Sequence, residues 1–458
     1  MTSTHQADSI LLDAAQSVVE MAKRQSATVA EATATSGSHL SAKVRQQKTE
    51  LIEEAGSFAL GLRVMIGQRV GVSYTSDLSA DGRERLVNDA IELAKLSEPD
   101  PFAGAVDPEL LSHESQWASV DSFDASASLI DARKAVQMAL EGEAAAIDAD
   151  SRITNSEGAT VSRADGQSVL VTSGGFIGWD RGSYVSLVVN PVADDADGKK
   201  RSGYYWTGAR HVSDLESSAS VGKEAARRTL AQLGAKKIPT TEMPIIFDRD
   251  IGRSVIGLFA GCILGSSIWR KSSYLVDRVG TEVASPLISL VDDPTIPRAP
   301  GSRRFDGEGV LSRVNSVVED GRLKMYLTDS YSGRKLGIST TANAGRSSSA
   351  TVSPTTTNFV LRPGEIERNA LIESTPRGLF VTNTMGFGFN AVTGDFSRGA
   401  SGFLIENGRL TQPVAEVTIS LNLDQILKRI DAIANDPDHR SSTVCPTFRV
   451  RSMTVAGG

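Results

Sequence analysis

Several groupings of residues have types and spacing that chemistry can use. His113-Glu114 begins the pattern in which a helix offers a histidine and a glutamate to a zinc-bound water, but SHESQWAS supplies no second histidine. His5, His39, His211 and His439 stand singly, as surface or hydrogen-bonded histidines do. Ser332-Gly333-Arg334-Lys335 fits SxxK, in which a lysine can take a serine's proton, yet the companion SDN and KTG motifs and any GxSxG elbow are missing. Asp194-Asp195 and Asp292-Asp293 are expected as solvated turns. FDGEG, from Phe305 to Gly309, lacks the spacing of a calcium loop and is also expected to be a turn.

The stretch GFGFNAVTGDFSRGASGFLIENG, Gly386 to Gly408, gathers glycines around an aspartate, a serine and an arginine. A phosphate cradle would need GxGxxG or GxxxxGK at the start of a helix, and neither spacing is met. The chain returns instead as a strand, an Asn-Gly turn and another strand. A glycine-enabled β-turn presenting Asp395, Ser397 and Arg398 is the reading at this level, with Gly394 and Gly399 allowing backbone geometry that a side chain forbids.

The elements that must position these residues follow from periodicity. SILLDAAQSVVEMAKR, residues 9–24, puts Ile10, Ala14, Val18 and Met21 on one helical face, and TVAEATATS then alternates as a strand does. FALGLRVMI and RVGVSYTS pair about Gly67, and Ser79 caps a helix carrying Leu86, Ala90, Ile91 and Ala94. The proline-containing stretch 97–112 reads as a linker. An Ala-rich helix is expected over Ala125–Asp148, then strands parted by turns at Glu157-Gly158, Asp165-Gly166 and Gly174-Gly175, then a helix over Leu215–Leu233. PIIFDRD opens a strand-rich region with turns at Asp320-Gly321 and Asn407-Gly408, while GRSSSATVSPTTT reads as a mobile surface loop. The expected fold is α+β, with mixed and antiparallel sheets, flanking helices and a strand-rich C-terminal half. Its expected divisions are 1–97, a linker 98–112, 113–235 and 236–458.

A formal charge of −7, from 48 basic and 55 acidic residues, offers no general attraction to nucleic acid or anionic lipid. Two cysteines, Cys262 and Cys445, far apart and outside any CxxC, indicate neither a disulfide framework nor a thiolate metal site. The most apolar segment, Ser254–Ile268, is too short for a membrane span and is expected as a buried helix. With no signal sequence at MTSTHQADSILLDAAQ, a cytoplasmic protein is expected.

NAVTGDFSRGASGFLIENGRLTQPVAEVTISLNL resembles the C-terminal signature of the TldD/PmbA family, once called modulators of DNA gyrase and now grouped with metallopeptidases. RFDGEGVLSRVNSVVEDGRLKMYLTDSYSGRKLGISTTANAG, the early VGVSYTSDL and the closing SMTVAGG resemble the same family. The resemblance implies two branches, TldD-type chains with a zinc-binding HExxxH on an internal helix and PmbA/TldE-type chains without it. Here the corresponding segment is GLFAGCILGSSIWRKSSYL. If Gly265 matches the glycine inside HExxxH, the histidine positions are Gly261 and Ser266 and the glutamate position is Cys262.

The resemblance therefore implies a cytosolic TldD/TldE heterodimer acting on unfolded or flexible peptides, with roles in antitoxin turnover and peptide-antibiotic maturation. This chain would hold no cofactor, the zinc being expected in the TldD-like partner. Neither nucleic acid nor membrane is expected as a direct partner, and pairing of the chain with itself when alone is a further expectation. Arg270, Lys271, Asp395, Ser397 and Arg398 are the candidate peptide-contact or assembly residues. The alternatives are a stand-alone hydrolase using Ser332 or Ser397, and a non-proteolytic regulator that binds DNA gyrase or its inhibitors.

Overall fold

A computed structural model of the chain describes residues 2–457, with the side chains of residues 2–8 and Asp197 outside the described set. The expectation for His5 therefore lies outside the described residues. Helix α1 (Thr2–Arg24) leads into β1 (Val29–Arg45), β2 (Lys48–Ile66), β3 (Arg69–Thr75) and α2 (Ala80–Leu96). Ser79 caps α2 by accepting from Gly82 N at 3.1 Å, and Leu86, Ala90, Ile91 and Ala94 are buried, as the sequence indicated. On α1 the apolar face is rotated from the expected one. Ile10 is exposed, and Leu11, Ala14, Ala15, Val18 and Ala22 face the core.

Next come α3 (Ala132–Ile147), β4 (Ile153–Thr172), β5 (Ile177–Asp194), β6 (Lys200–Ser202), β7 (Tyr205–Ala209) and α4 (Ser218–Leu230). Helix α3 starts later than expected because Asp131 caps it through Lys134 N, leaving Ala125–Leu129 as a separate 3₁₀ turn. The strands of both segments join in one sheet, ordered β3-β2-β1-β4-β5-β6 with β7 also on β5. Ala30, Ala32 and Ala34 of β1 pack under α1 and α2, while Leu40, Ala42 and Val44, farther along the same face, pack under α3 and α4.

Two expected turns are absent. Asp165-Gly166 lies in the middle of β4, where Gly166 stands opposite Gly37 of β1 and Gly182 of β5. Glycine here clears a row across the sheet rather than reversing the chain. Glu157-Gly158 is a bulge in β4, and only Gly174-Gly175, with Gly175 at φ 98°, turns the chain.

The C-terminal body contains β8 (Thr241–Phe247), α5 (Arg249–Cys262), α6 (Gly265–Trp269), β9 (Leu290–Asp292), β10 (Asn315–Glu319), β11 (Arg322–Leu323) and α7 (Ser330–Leu336). It continues through β12 (Ala344–Arg346), β13 (Val352–Pro354), β14 (Phe359–Leu361), α8 (Arg368–Glu373), β15 (Arg377–Met385), β16 (Asp395–Glu406) and β17 (Arg409–Asn422). Helix α9 (Leu423–Lys428), β18 (Ile430–Ile433), β19 (Thr443–Val444) and β20 (Phe448–Ala456) follow. Strands run in the order β17-β16-β15-β8-β20, and β20 also pairs with β17, so these five close on themselves. Strand β8 is parallel to β15 and antiparallel to β20, which makes the sheet mixed. A small second sheet has the order β11-β10-β9-β14-β19. The whole is α+β with a strand-rich C-terminal half, and among the described residues no helix is long and apolar enough to cross a membrane.

Three local expectations are corrected by long-range contacts. Asp292 is fully buried, accepting from Thr357 N at 2.6 Å and from Asn343 Nδ2 at 2.7 Å, and Asp195 is held by Arg201 at 2.8 Å and by Gly234 N at 2.9 Å. The segment expected to be mobile contains the β12–β13 hairpin. It lies so close to β2 that a Cβ on Gly61 would be 2.5 Å from the Ser348 carbonyl oxygen. FDGEG is a turn, as expected, but Asp306 and Glu308 are both buried within it.

Candidate functional site

The segment aligned by resemblance with HExxxH is not one helix. Asp248 caps α5 through Asp250 N, and Ile251, Val255, Ile256 and Phe259 bury its apolar face. The helix stops because Leu264 is extended and pairs with Leu327: Gly265 N donates to Leu327 O at 2.7 Å and Leu327 N to Ile263 O at 3.1 Å. Helix α6 then restarts against α7 at a contact only glycine permits, since a Cβ on Gly265 would be 2.6 Å from Ser332 Cβ.

The three motif positions point to different surroundings. Gly261 is exposed at the end of α5, with nothing within 4 Å of where a Cβ would lie. Cys262 is 1% exposed and belongs to the core, and its carbonyl accepts from Ser273 Oγ at 2.7 Å. Burial pushes its thiol up to about 11, only partly offset by Ser273. Ser266 is half-buried on α6. A zinc ion needs three converging nitrogen, sulfur or carboxylate donors. This set contributes no histidine or carboxylate, and its one thiol is buried in its neutral form. Among the described residues no group of three His, Cys, Asp or Glu side chains has the arrangement to hold a metal. The residues do not fit zinc.

Beyond α6, Arg270 and Lys271 are exposed, Lys271 at φ 55° and the Arg270 guanidinium 4.8 Å from the Trp269 ring centre. The chain continuing to Tyr274 meets the Gly386–Gly394 segment, where Tyr274 N donates to Ala391 O at 2.8 Å. That segment connects β15 to β16. Gly386 and Gly394 take φ 87° and 80°, Gly394 N closes on Asn390 O at 2.7 Å, and Asn390 Oδ1 accepts from Val392 N at 3.0 Å.

Asp395, Ser397 and Arg398 are thus in the first turnless residues of β16, not on the turn itself. Asp395 accepts from Thr393 Oγ1 at 2.7 Å and Asn422 Nδ2 at 3.2 Å, which in that order hold its carboxyl below the usual range. Ser397 is exposed, and its N–H closes the hairpin on Gly388 O at 2.8 Å. Arg398 stacks its guanidinium 5.5 Å from the Phe396 ring centre. Tyr274 links this strand's hairpin to the α6 segment, but among the described residues no hydrogen bond or ion pair joins Asp395, Ser397 or Arg398 to Arg270 or Lys271.

The SxxK pair does not form a nucleophile and its base. Ser332 Oγ is buried against Gly265 with no partner, whereas Lys335 turns to Asp100 Oδ1 at 3.5 Å and to the Phe102 ring at 4.2 Å. Burial pulls the Lys335 ammonium down, but Tyr331 and Asp100 more than offset it and hold the group above its ordinary value. A lysine acting as base would need the opposite shift. His113 only opens a 3₁₀ turn, and His211 Nε2 contacts Asp121 O at 3.0 Å.

Periodicity gave no sign of what Arg334 does. It donates to the carbonyls of Phe102 at 2.7 Å, Gly104 at 3.0 Å and Ala105 at 3.2 Å, strapping the expected linker onto α7. The sequence signal was a linker without the periodicity of a helix or strand, whose backbone must find partners elsewhere.

Comparison with known proteins follows these features along the whole chain. Models of the PmbA/TldA metallopeptidase match three segments: domain 1 over residues 30–94, the central domain over 126–233 and the C-terminal domain over 240–457. The metalloprotease PmbA homolog of Haemophilus influenzae is 36% identical, covering 98% of this chain and 96% of that one. Among solved structures, a protein from Bacteroides thetaiotaomicron described as a modulator of DNA gyrase superposes with a TM-score of 0.90 at 25% identity, covering 97% of this chain and 98% of that one. TldE from Thermococcus kodakarensis shares the fold, with a TM-score of 0.85 at 18% identity over 97% of this chain and 100% of that one.

Proposed function

The chain belongs to the PmbA/TldD metallopeptidase family, and from that premise we propose that it is a PmbA/TldE-type subunit: the half of a cytosolic zinc peptidase heterodimer that carries no metal, paired with a TldD-like chain that does. One observation carries this reading. At the positions aligned with HExxxH stand Gly261, an inward-facing Cys262 and Ser266, divided between two helices. A chain without ligands cannot lower the pKa of a metal-bound water, so its contribution to hydrolysis is to bind peptide and complete the partner's site.

Unfolded or flexible peptides are the proposed substrates, because a sheet edge recognises backbone wherever a chain is extended. The closed C-terminal strands offer little such edge. Strand β2 does, from Lys48 to Ala59, where β1 pairs along one side and, among the described residues, no strand pairs along the other. The proposed contact residues in the C-terminal body remain Arg270, Lys271, Asp395, Ser397 and Arg398.

The test is to purify this chain alone and together with a TldD-like partner, and to follow cleavage of an unfolded peptide with and without chelator. Cleavage is expected only from the pair and only with metal. Turnover by the isolated, metal-free chain overturns the reading. A regulator of gyrase is the second reading, supported by the description of the Bacteroides relative. Recovery of gyrase, and never a TldD-like chain, on the tagged protein would favour it.

A further inference from the structure

The N-terminal sheet meets the C-terminal body at a buried cluster of charges. Glu31 of β1 is 3% exposed, and its Oε2 accepts from Arg63 Nη1 of β2 at 3.0 Å and from Arg346 Nη2 of β12 at 2.6 Å. Below it lies the FDGEG turn. Asp306 is 1% exposed and accepts from the N–H groups of Glu308, Val310 and Ala344 at 2.9, 3.0 and 3.1 Å. Glu308 is 3% exposed and accepts from Ser330 N, the first residue of α7, at 2.9 Å.

The cations are already committed. Arg63 and Arg346 both serve Glu31, and Arg303 faces Asp306 while donating to Ala344 O at 2.7 Å and Ala342 O at 3.1 Å. Arg346 also donates to Gly307 O in the turn at 2.5 Å, but no ion pair joins it to Glu308, and the charges that act on Glu308 are of its own sign: Asp306 in the same turn and Glu31 on the docked sheet, with the N-cap Asp329 next to Ser330 on α7. An ionised Glu308 would be a further carboxylate in a dry junction with no cation of its own.

We propose that this junction is a proton-sensitive latch, in which Glu31, Arg63 and Arg346 fasten the N-terminal sheet to the C-terminal body and the ionisation of Glu308 loosens it. Burial first, and then Asp306, push the Glu308 carboxyl up to about 7, with Ser330 opposing and Glu31 adding to the rise. Lifting the sheet admits water and removes Glu31, returning Glu308 toward its ordinary value of 4.5. The docked form thus holds the proton more tightly. Its contribution to docking is complete below about 4.5, declines as pH rises between 4.5 and 7, and levels off above that. Glu31 works in the opposite sense at lower pH. Although burial raises its carboxyl, Arg346 and Arg63 bring it down to about 2, so its share of docking is lost only as pH falls below about 4.5.

The experiment is hydrogen exchange at pH 6 and pH 8 on the full chain, with exchange times scaled for the intrinsic hundredfold difference in rate. In the fast-closing regime, opening of β1 residues 29–35 and β2 residues 60–66 is expected to rise by about tenfold between the two pH values, with Ile245–Phe247 of β8 unchanged. Glu308→Gln, an amide in place of the protonated acid, should remove that rise and hold opening at the low-pH level, about thirtyfold below the wild type at pH 6. A wild-type chain with no pH dependence, or a Glu308→Gln chain that keeps it, overturns the proposal. Should Glu308→Gln fail to fold, Glu31→Gln supplies the same decision. It takes a like charge from beside Glu308 and leaves Arg63 and Arg346 without their carboxylate, so it should shift the pH response downward, and an unshifted response rejects the latch.

Discussion

Arg346 Nη2 lies 2.6 Å from Glu31 Oε2, with both side chains 4% exposed and the two residues 315 positions apart in the sequence. Because Arg63 shares the same oxygen, the pair is a junction of two sheet strands and a distant hairpin. Removing one member leaves an incompletely matched buried charge. Arg346→Met should therefore lower stability by about 3 kcal/mol, read as a shift in the urea midpoint. Arg298→Ala, at the exposed pair with Asp121, should leave that midpoint where it was.

Restoring the metal motif should not restore a metal site. In the triple variant Gly261→His, Cys262→Glu and Ser266→His, the new carboxylate would enter the core position of Cys262, and the two imidazoles would sit on separate helices. The variant is expected to be less stable, by about 2 kcal/mol or more, and to retain no stoichiometric zinc after desalting. Thermal unfolding and elemental analysis decide it, and one tightly held zinc per chain would refute the geometry.

Gly265 is the hinge of the α6–α7 contact. Valine there would bring its Cβ to 2.6 Å from Ser332 Cβ and 2.8 Å from Thr328 Cγ2, forcing the helices apart. A loss of about 2–3 kcal/mol is expected. Ser332→Gly should recover part of it, because the deleted Cβ is the closest of the clashing atoms.

Both cysteines should resist alkylation in the native state. Burial raises the Cys262 thiol to about 11 and lifts Cys445 well above its ordinary value, so neither offers a thiolate at pH 8. Iodoacetamide should label them only on unfolding. The sign of the linked stability follows: the native state favours the protonated thiols, so their contribution is intact below the ordinary value of 9.0 and is lost as pH rises from there toward 11.

The features legible in the sequence were those decided locally. Ser79 as a cap, the turns at Asp320-Gly321 and Asn407-Gly408, and the apolar face of α2 all depend on residues within a few positions of one another. Asp165-Gly166 misled because a turn dipeptide and a glycine inside a long strand look alike until Gly37 and Gly182 are placed beside it. Asp292 looked like a solvated turn residue, and FDGEG gave no sign that Glu308 is buried, because their partners, Thr357 and Ser330, come many positions later.

The candidate site divides in the same way. The resemblance located Gly261, Cys262 and Ser266, but the break between α5 and α6 follows from Leu264 pairing with Leu327, which no periodicity within Ser254–Ile268 encodes. Arg334 escaped notice for the same reason, since its acceptors are the backbone of another segment.

Strand β20 sits between β8 and β17, and the chain between Glu242 and its partner Ser452 spans 210 residues. During synthesis β8 therefore emerges with both flanks bare; β15 can cover one, and the flank that β20 takes stays bare until those residues are made. The closed set of strands cannot assemble piece by piece in the order of translation. A ribosome stalled between Asn422 and Phe448 would hold out an incomplete sheet with two unpaired edges, which is a substrate for chaperones rather than a subunit ready to find its partner.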